Sequence, residues 1–355
     1  MARLAKWLVS MAMVLVVCWL VGCDRPAAVP PGPTPAAADI GTPRPQLNGQ
    51  PVFITTDMSS DDVAALLYLL QHPDVAVVGI GSANGVAHVE PAARNVLRLL
   101  TLLGRTDIPV AVGSARALEG DNAFPAAWRG GADALFGLDV PSASVRPVAE
   151  SASELLAQEV RARPAEVVVV LLGAHTDLAL ALRDDRTLAG QIKGVHLMGG
   201  AVRVPGNINA EYGAIANNTA EWNLWLDYRA AREVFEAGVP LTMVPLDATN
   251  QVSVDRVMVE QLKARATSPV AQVVAQLWHS QVRSDGMYVW DAVAAVALTD
   301  PGLARWEAME LEVAVTPPEH AGRTVGVSRS EPNALVCTGV DKAAVVDKLI
   351  TVLNR

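Results

Sequence analysis

The 355-residue chain carries 28 Lys and Arg against 37 Asp and Glu, a formal net charge of −9. That balance argues against a nucleic-acid backbone as ligand. Of its three cysteines, Cys18 and Cys23 sit near the start and Cys337 stands alone in an apolar run, so no internal disulfide framework is available.

The elements begin with a targeting segment. Arg3 and Lys6 precede an apolar stretch from Trp7 to Val21, the shape of an export signal. It is a little short for a spanning helix, although an uncleaved membrane anchor is the alternative. Leu20-Val21-Gly22-Cys23 resembles a bacterial lipobox, which implies removal of residues 1–22 and lipid on the Cys23 sulfur. Residues 23–48 are rich in Pro and Ala and poor in large apolar side chains, so they are expected to form an extended tether. Residues 49–355 are expected to fold as one α/β domain.

Within that domain, Pro51 to Ile54 reads as a buried strand and Val63 to Leu70 as an apolar helix. Between them lie Asp57, Asp61 and Asp62, at the C-terminal edge of a strand, where open α/β sheets bind ligands. Carboxylates this close repel unless a cation holds them together, and such hard oxygen donors suit Ca²⁺ or Mg²⁺. The alternative is a helix cap, with Ser60 capping and Asp61 and Asp62 favouring the helix dipole. Val75 to Ile80 is a predicted strand, Val89 to Leu103 a helix and Ile108 to Val112 a strand. Residues 120–135 read as a long loop with a short helix. A helix follows over Ala152 to Ala162, and Val167 to Leu172 has the unbroken apolarity of a central parallel strand. His175 to Leu182 is helical, Gly194 to Leu197 a strand, Tyr228 to Ala237 a helix closed by Gly238, and Leu241 to Val244 a strand. Two more helices are predicted over Val270 to Val282 and Asp291 to Leu298. Met309 to Val315 and Thr324 to Val327 read as antiparallel strands, and Lys342 to Leu353 as a closing helix. The repeated strand–helix alternation predicts an open, mostly parallel but mixed, Rossmann-like sheet with helices on both faces. Gly199-Gly200 lacks the spacing of a phosphate-binding loop.

Polar residues recur at these strand and helix ends. Gly173-Ala174-His175-Thr176 follows the most apolar strand, Met198-Gly199-Gly200 leads to Gly206-Asn207, Ala220-Glu221-Trp222-Asn223 precedes a helix, and Trp290-Asp291 opens another. In this order and spacing they resemble the inosine–uridine nucleoside hydrolase family over about Val52 to Asp300. The resemblance implies an α/β fold with Ca²⁺ at the floor of a pocket. It implies Asp57, Asp62, Asp291 and the carbonyl of Thr176 as metal ligands, with Asp57 also the general base. Asp61, Asn207, Glu221 and Asn223 are implied to hold the ribose. The implied reaction is attack of an activated water on the N-glycosidic bond of a ribonucleoside, in an enzyme of homo-oligomeric habit. The carboxylate-rich pocket suits a reaction that builds positive charge on the sugar.

Three departures from the family pattern stand out. Thr55 occupies a place where an Asp is usual, which is expected to weaken metal binding by roughly tenfold. Met58-Ser59 replaces the usual Pro-Gly. Trp290 stands where many members carry a His beside the leaving base; it can stack but cannot act as a general acid. His88, His175 and Tyr212 are then the candidate proton donors. In the loop near His88, a family Asn that touches the sugar falls at Val86, with Asn84 close by. Trp222 and Trp225 are expected in the core, Asp247 as a cap outside the site, and Trp128 is open. A lipid-anchored nucleoside- or ribose-binding protein with a degenerate pocket remains the alternative function, and a metal-dependent phosphatase a weaker one. Export to an extracytoplasmic membrane face is the expected location.

Overall fold

A computed structural model describes residues 49–208, 215–327 and 331–355. The expected signal segment, Cys23 and the tether lie outside the described residues, as does Tyr212. Strands β1 (Gln50–Thr56), β2 (Val75–Ser82), β3 (Val110–Ala111), β4 (Val168–Leu171), β5 (Gly194–Met198) and β6 (Leu241–Val244) alternate with helices α1 (Ser60–Gln71), α2 (Val89–Leu103), α3 (Ala126–Asp133), α4 (Ala152–Ala162), α5 (Thr176–Asp184), α6 (Trp222–Leu226) and α7 (Tyr228–Glu236). The chain continues through α8 (Leu246–Thr249), β7 (Ser253–Val254), α9 (Arg256–Arg265), α10 (Pro269–Gln281), β8 (Met287–Tyr288) and α11 (Trp290–Thr299). It closes with β9 (Ala304–Met309), β10 (Leu311–Val313), β11 (Thr324–Gly326), β12 (Ala334–Val340) and α12 (Lys342–Leu353).

Eight strands form one sheet in the order β3-β2-β1-β4-β5-β6-β12-β9. All neighbours pair in parallel except β12 and β9. Successive side chains on a strand face opposite sides, so each strand feeds two cores. On β1, Val52 and Ile54 join α1, α2, α10, α11 and α12, whereas Phe53 joins α4, α5 and α7. Val170 of β4 faces the first core, and Val169 and Leu171 the second. The strand order reverses direction at β1, because β2 lies on one side of it and β4 on the other. At such a switch point the connections splay apart and leave a crevice beyond the strand ends. The Asp57 segment opens into that crevice.

Several expectations needed correction. The cap of α1 is Ser59 and not Ser60: its hydroxyl accepts from the Asp62 amide while the Asp62 carboxylate accepts from the Ser59 amide. The strand expected from Met309 to Val315 is two elements. Ala304–Met309 edges the main sheet, and Leu311–Val313 pairs with β11 in a separate ribbon. Strand β12, helices α8 and α9 and the short strands β7 and β8 carry no clear sequence signal. The apolar run around Cys337 is a sheet strand, β12, whose period-2 pattern is masked by apolar residues on both faces. Cys337 itself is buried, and burial pushes its thiol up to about 11.

Candidate active site

A cavity of about 600 Å³ lies at the C-terminal ends of the parallel strands, a volume suited to a small-molecule ligand. Asp57, Asp61, Asp62, Asn207, Glu221, Asn223, Trp290 and Asp291, all expected in the site, line it. Thr176 does not line it. It is buried just behind, and its hydroxyl donates to Asp227 Oδ2 at 2.7 Å, which leaves only its main chain for the site.

The floor is built from β1, the first turn of α1 and the first turn of α11. Asp57 follows the last residue of β1. Its Oδ2 accepts from the Val86 amide at 2.9 Å, its Oδ1 from the Ser59 amide at 3.3 Å, and its carbonyl from the Ala87 amide at 2.9 Å. A side chain at position 85 is impossible without rearrangement, since a Cβ there would lie 1.8 Å from Asp57 Oδ2. Met58, next in the chain, holds φ +57°, a strained region for a bulky residue and one closed to proline. Thr56 Oγ1 donates to Asp62 Oδ1 at 2.5 Å. Ser59 Oγ lies 2.6 Å from Asp61 Oδ1 and 2.7 Å from Asp62 Oδ2. The Asp291 amide donates to Asp61 Oδ2 at 3.1 Å, tying α11 to α1.

Asp61, Asp62 and Asp291 each offer an oxygen, and these oxygens lie within 4.8 Å of one another. Asp57 falls outside that triple but is close enough for the charge of Asp62 to raise its carboxyl. Burial first, and the charge of Asp62 second, push the Asp57 and Asp291 carboxyls well above the ordinary carboxylate range; the same two causes raise Asp61. Asp291 Oδ1 is buried with no hydrogen-bond partner. Crowded, desolvated carboxylates with an orphaned oxygen are what a hard divalent cation relieves, so the donor set fits a metal ion.

The far side of the floor comes from β5 and α6. Glu221 caps α6: Oε1 accepts from the Asn223 amide at 2.9 Å, and Oε2 from Gly200 at 3.0 Å and Leu224 at 3.3 Å. The glycine pair lets the backbone come this close. A Cβ on Gly199 would lie 2.4 Å from Leu224 Cδ1, and Gly200 holds φ +80°. Burial pushes Glu221 up to about 7. Asn223 Nδ2 donates weakly to the carbonyls of Leu172 and Met198, at 3.4 and 3.3 Å. Asn207 Oδ1 accepts from the Trp222 amide at 3.2 Å, so Asn207 is bound to the start of α6.

The walls are aromatic. Phe124 stacks on Trp222 with centroids 4.3 Å apart, and Trp128 meets Trp222 edge-on at 5.9 Å. Opposite, Trp290 lies parallel to Tyr288 at 5.4 Å and donates from Nε1 to Asn250 Oδ1 at 2.8 Å. Trp128 and Trp222 both line the cavity; Trp222 is at the same time buried in an aromatic cluster, as expected, and Trp225 packs behind it. Two proposed proton donors are misplaced. His175 is fully buried outside the cavity, with neither ring nitrogen partnered and its pKa depressed by burial to about 4. His88 is half-exposed and pairs with Asp133 at 2.7 Å. Asp247 stays outside the site, as expected; it accepts from the Val202 and Arg203 amides and so pins a loop. The cavity contribution of α3 (Ala127, Trp128, Gly131) and of Gln281 and Arg283 was not read from the sequence. Trp128, a large apolar residue in a polar loop, was the one available signal.

Residues 52–347 match the family profile described as inosine-uridine preferring nucleoside hydrolase. The chain belongs to this family. It is 32% identical to a pyrimidine-specific ribonucleoside hydrolase, RihA, of Shewanella sp. strain ANA-3, over 86% of this chain and 99% of the relative. Among solved structures it resembles an inosine-uridine preferring nucleoside hydrolase from Bacillus anthracis, with TM-score 0.76 and 25% identity over 86% of this chain and 99% of that one. A purine-preferring ribonucleoside hydrolase from Gardnerella vaginalis shares the fold, with TM-score 0.77 and 24% identity over 86% and 98% of the two chains. Membership of this nucleoside hydrolase family makes the chain an enzyme of N-glycosyl bond hydrolysis.

Proposed function

We propose that this nucleoside hydrolase is calcium-dependent, uses Asp57 as its general base and is held on a membrane by lipid on Cys23. The convergence of four acidic side chains, Asp57, Asp61, Asp62 and Asp291, on one cavity floor carries the catalytic part of the reading. Asp57, Asp62, Asp291 and the Thr176 carbonyl would hold the ion, and Asp61 borders it. When bound, Ca²⁺ lowers the pKa of a water and fixes it beside the sugar.

The chain's own groups do the rest. Asp57, oriented by the Val86 and Ser59 amides, takes a proton from the attacking water. The water oxygen bonds to C1′, the C1′–N bond breaks, and the base leaves with the bonding electrons. Asp61, Asn207, Glu221 and Asn223 hold the ribose hydroxyls. The buried carboxylates favour the positive charge that grows on the ring. Attack by water implies inversion at C1′ and no covalent intermediate. Among the described residues, no histidine lines the cavity. Trp290 is therefore assigned to stacking on the departing base, its plane fixed by Asn250 and Tyr288. The binding-protein reading has less support, because the substitutions that prompted it, Thr55 and Trp290, leave the acidic floor assembled.

The full-length protein in detergent should release ribose from at least one of inosine, adenosine, guanosine, uridine and cytidine. Release should stop with a chelator and return with Ca²⁺. Turnover undiminished by chelation would overturn the metal dependence, and binding without turnover would restore the binding-protein reading. Labelled fatty acid should be incorporated by the native chain and not by Cys23→Ser.

A further inference from the structure

Asp57 owes its orientation to the 84–87 bend after β2, through the Val86 and Ala87 amides. The outer side of that bend is gripped by Arg129, on α3: Nη2 donates to Asn84 Oδ1 at 3.3 Å and to the Ala87 carbonyl at 3.4 Å. The neighbouring residue on the same helix, Trp128, lines the cavity wall. We propose that Arg129 is a positioning residue that orients Asp57 through the 84–87 bend and ties the aromatic wall to the acidic floor. This rests on the reading of Asp57 as the base.

Arg129 is an unusual choice for a mere surface residue. It is half-buried, and its Nε is sealed from solvent without a partner, a costly arrangement for a cation. The charges of Asp133 and Asp57 offset that burial only in part, and burial still lowers the guanidinium pKa. Asp133, at the end of α3, fastens the same junction from the other side, accepting from the His88 amide at 2.8 Å. Asn95 Nδ2 on α2 in turn donates to the Ala132 and Asp133 carbonyls at 3.0 and 3.1 Å. The bend is thus clamped between α3 and Asp57. With no room for even a Cβ between Gly85 and Asp57, any shift of the bend passes directly to the carboxylate. A misplacement of about 1 Å at a reacting group can cost about 100-fold in rate.

Arg129→Met keeps the aliphatic stem and removes the charge and the donors; Arg129→Lys restores the charge alone. On the full chain, Arg129→Met is expected to lower kcat by about 10- to 100-fold with KM within about twofold, and Arg129→Lys to recover part of the loss. Hydrogen exchange at the Val86 and Ala87 amides should quicken in Arg129→Met. A retained kcat, a rise in KM alone, or unchanged exchange at both amides would overturn the proposal. Asn84→Ala breaks the same link from the other end and should lower kcat in the same sense if Arg129→Met does not fold; an unchanged kcat there also overturns it. Asp57→Ala run alongside separates the two readings. If it keeps turnover, the base assignment fails; if it is inactive while Arg129→Met is normal, only the positioning role fails.

Discussion

The floor and the wall of this cavity are held by different forces. The floor carboxylates Asp57 and Glu221 are fixed by directional hydrogen bonds, from the Val86 and Gly200 amides. The wall rings are held by stacking, Phe124 on Trp222 and Tyr288 on Trp290, and stacking tolerates sliding that a hydrogen bond does not. The difference teaches where each kind of damage should appear. Floor substitutions should strike kcat or metal binding, and wall substitutions should strike KM.

The largest effect is expected for Asp57→Ala, a kcat loss of about 1,000-fold or more with Ca²⁺ present. Full turnover there would remove the base from the floor. Asp291→Ala should weaken Ca²⁺ binding by more than about 100-fold in calorimetry; an unaltered isotherm would strike it from the ligand set. Gly85→Ala tests the floor through the backbone. The added methyl collides with Asp57 and should cost about 100-fold in kcat while the wall is untouched. On the other side of the comparison, Trp290→Ala should raise KM by about tenfold, the worth of one stacked base, with a smaller change in kcat. A kcat loss matching that of Asp57→Ala would erase the distinction between floor and wall.

The smallest effect concerns stability. Burial raises the Glu221 pKa from 4.5 to about 7, so its neutral form is the one the fold favours. The resulting stability is fully present below the unfolded value and is lost as pH rises through about 7. Asp57 and Asp291 are shifted in the same direction. With a chelator present, Tm should therefore fall by a few degrees between about pH 5 and pH 8. Glu221→Gln should flatten that slope, and a Tm that rises over the range would contradict the buried-carboxylate account.

Much of the floor was readable beforehand because its residues cluster in the chain. Asp57, Asp61 and Asp62 fall within one strand-to-helix junction, and Glu221 and Asn223 within one cap. The wall was not, since Trp128, Trp222 and Trp290 come from three distant segments and each reads locally as packing. Trp222 shows the ambiguity best, being buried in an aromatic cluster and exposed to the cavity at one edge. The histidines failed for the complementary reason. Position near a strand end says nothing of which way a side chain points, and His175 points into the protein while His88 turns outward to Asp133.

By itself the sequence determined the alternation of strands and helices, the parallel sheet and the acidic junction at the end of β1, because each depends on residues adjacent in the chain and on periodicity. Only the tertiary structure decided that β12 enters the sheet between β6 and β9, that Asp291 reaches Asp61 across more than half the chain, and that Arg129 grips the bend that orients Asp57. Those outcomes rest on contacts between segments far apart in sequence, where burial and hydrogen-bond geometry choose among partners that local pattern leaves equivalent.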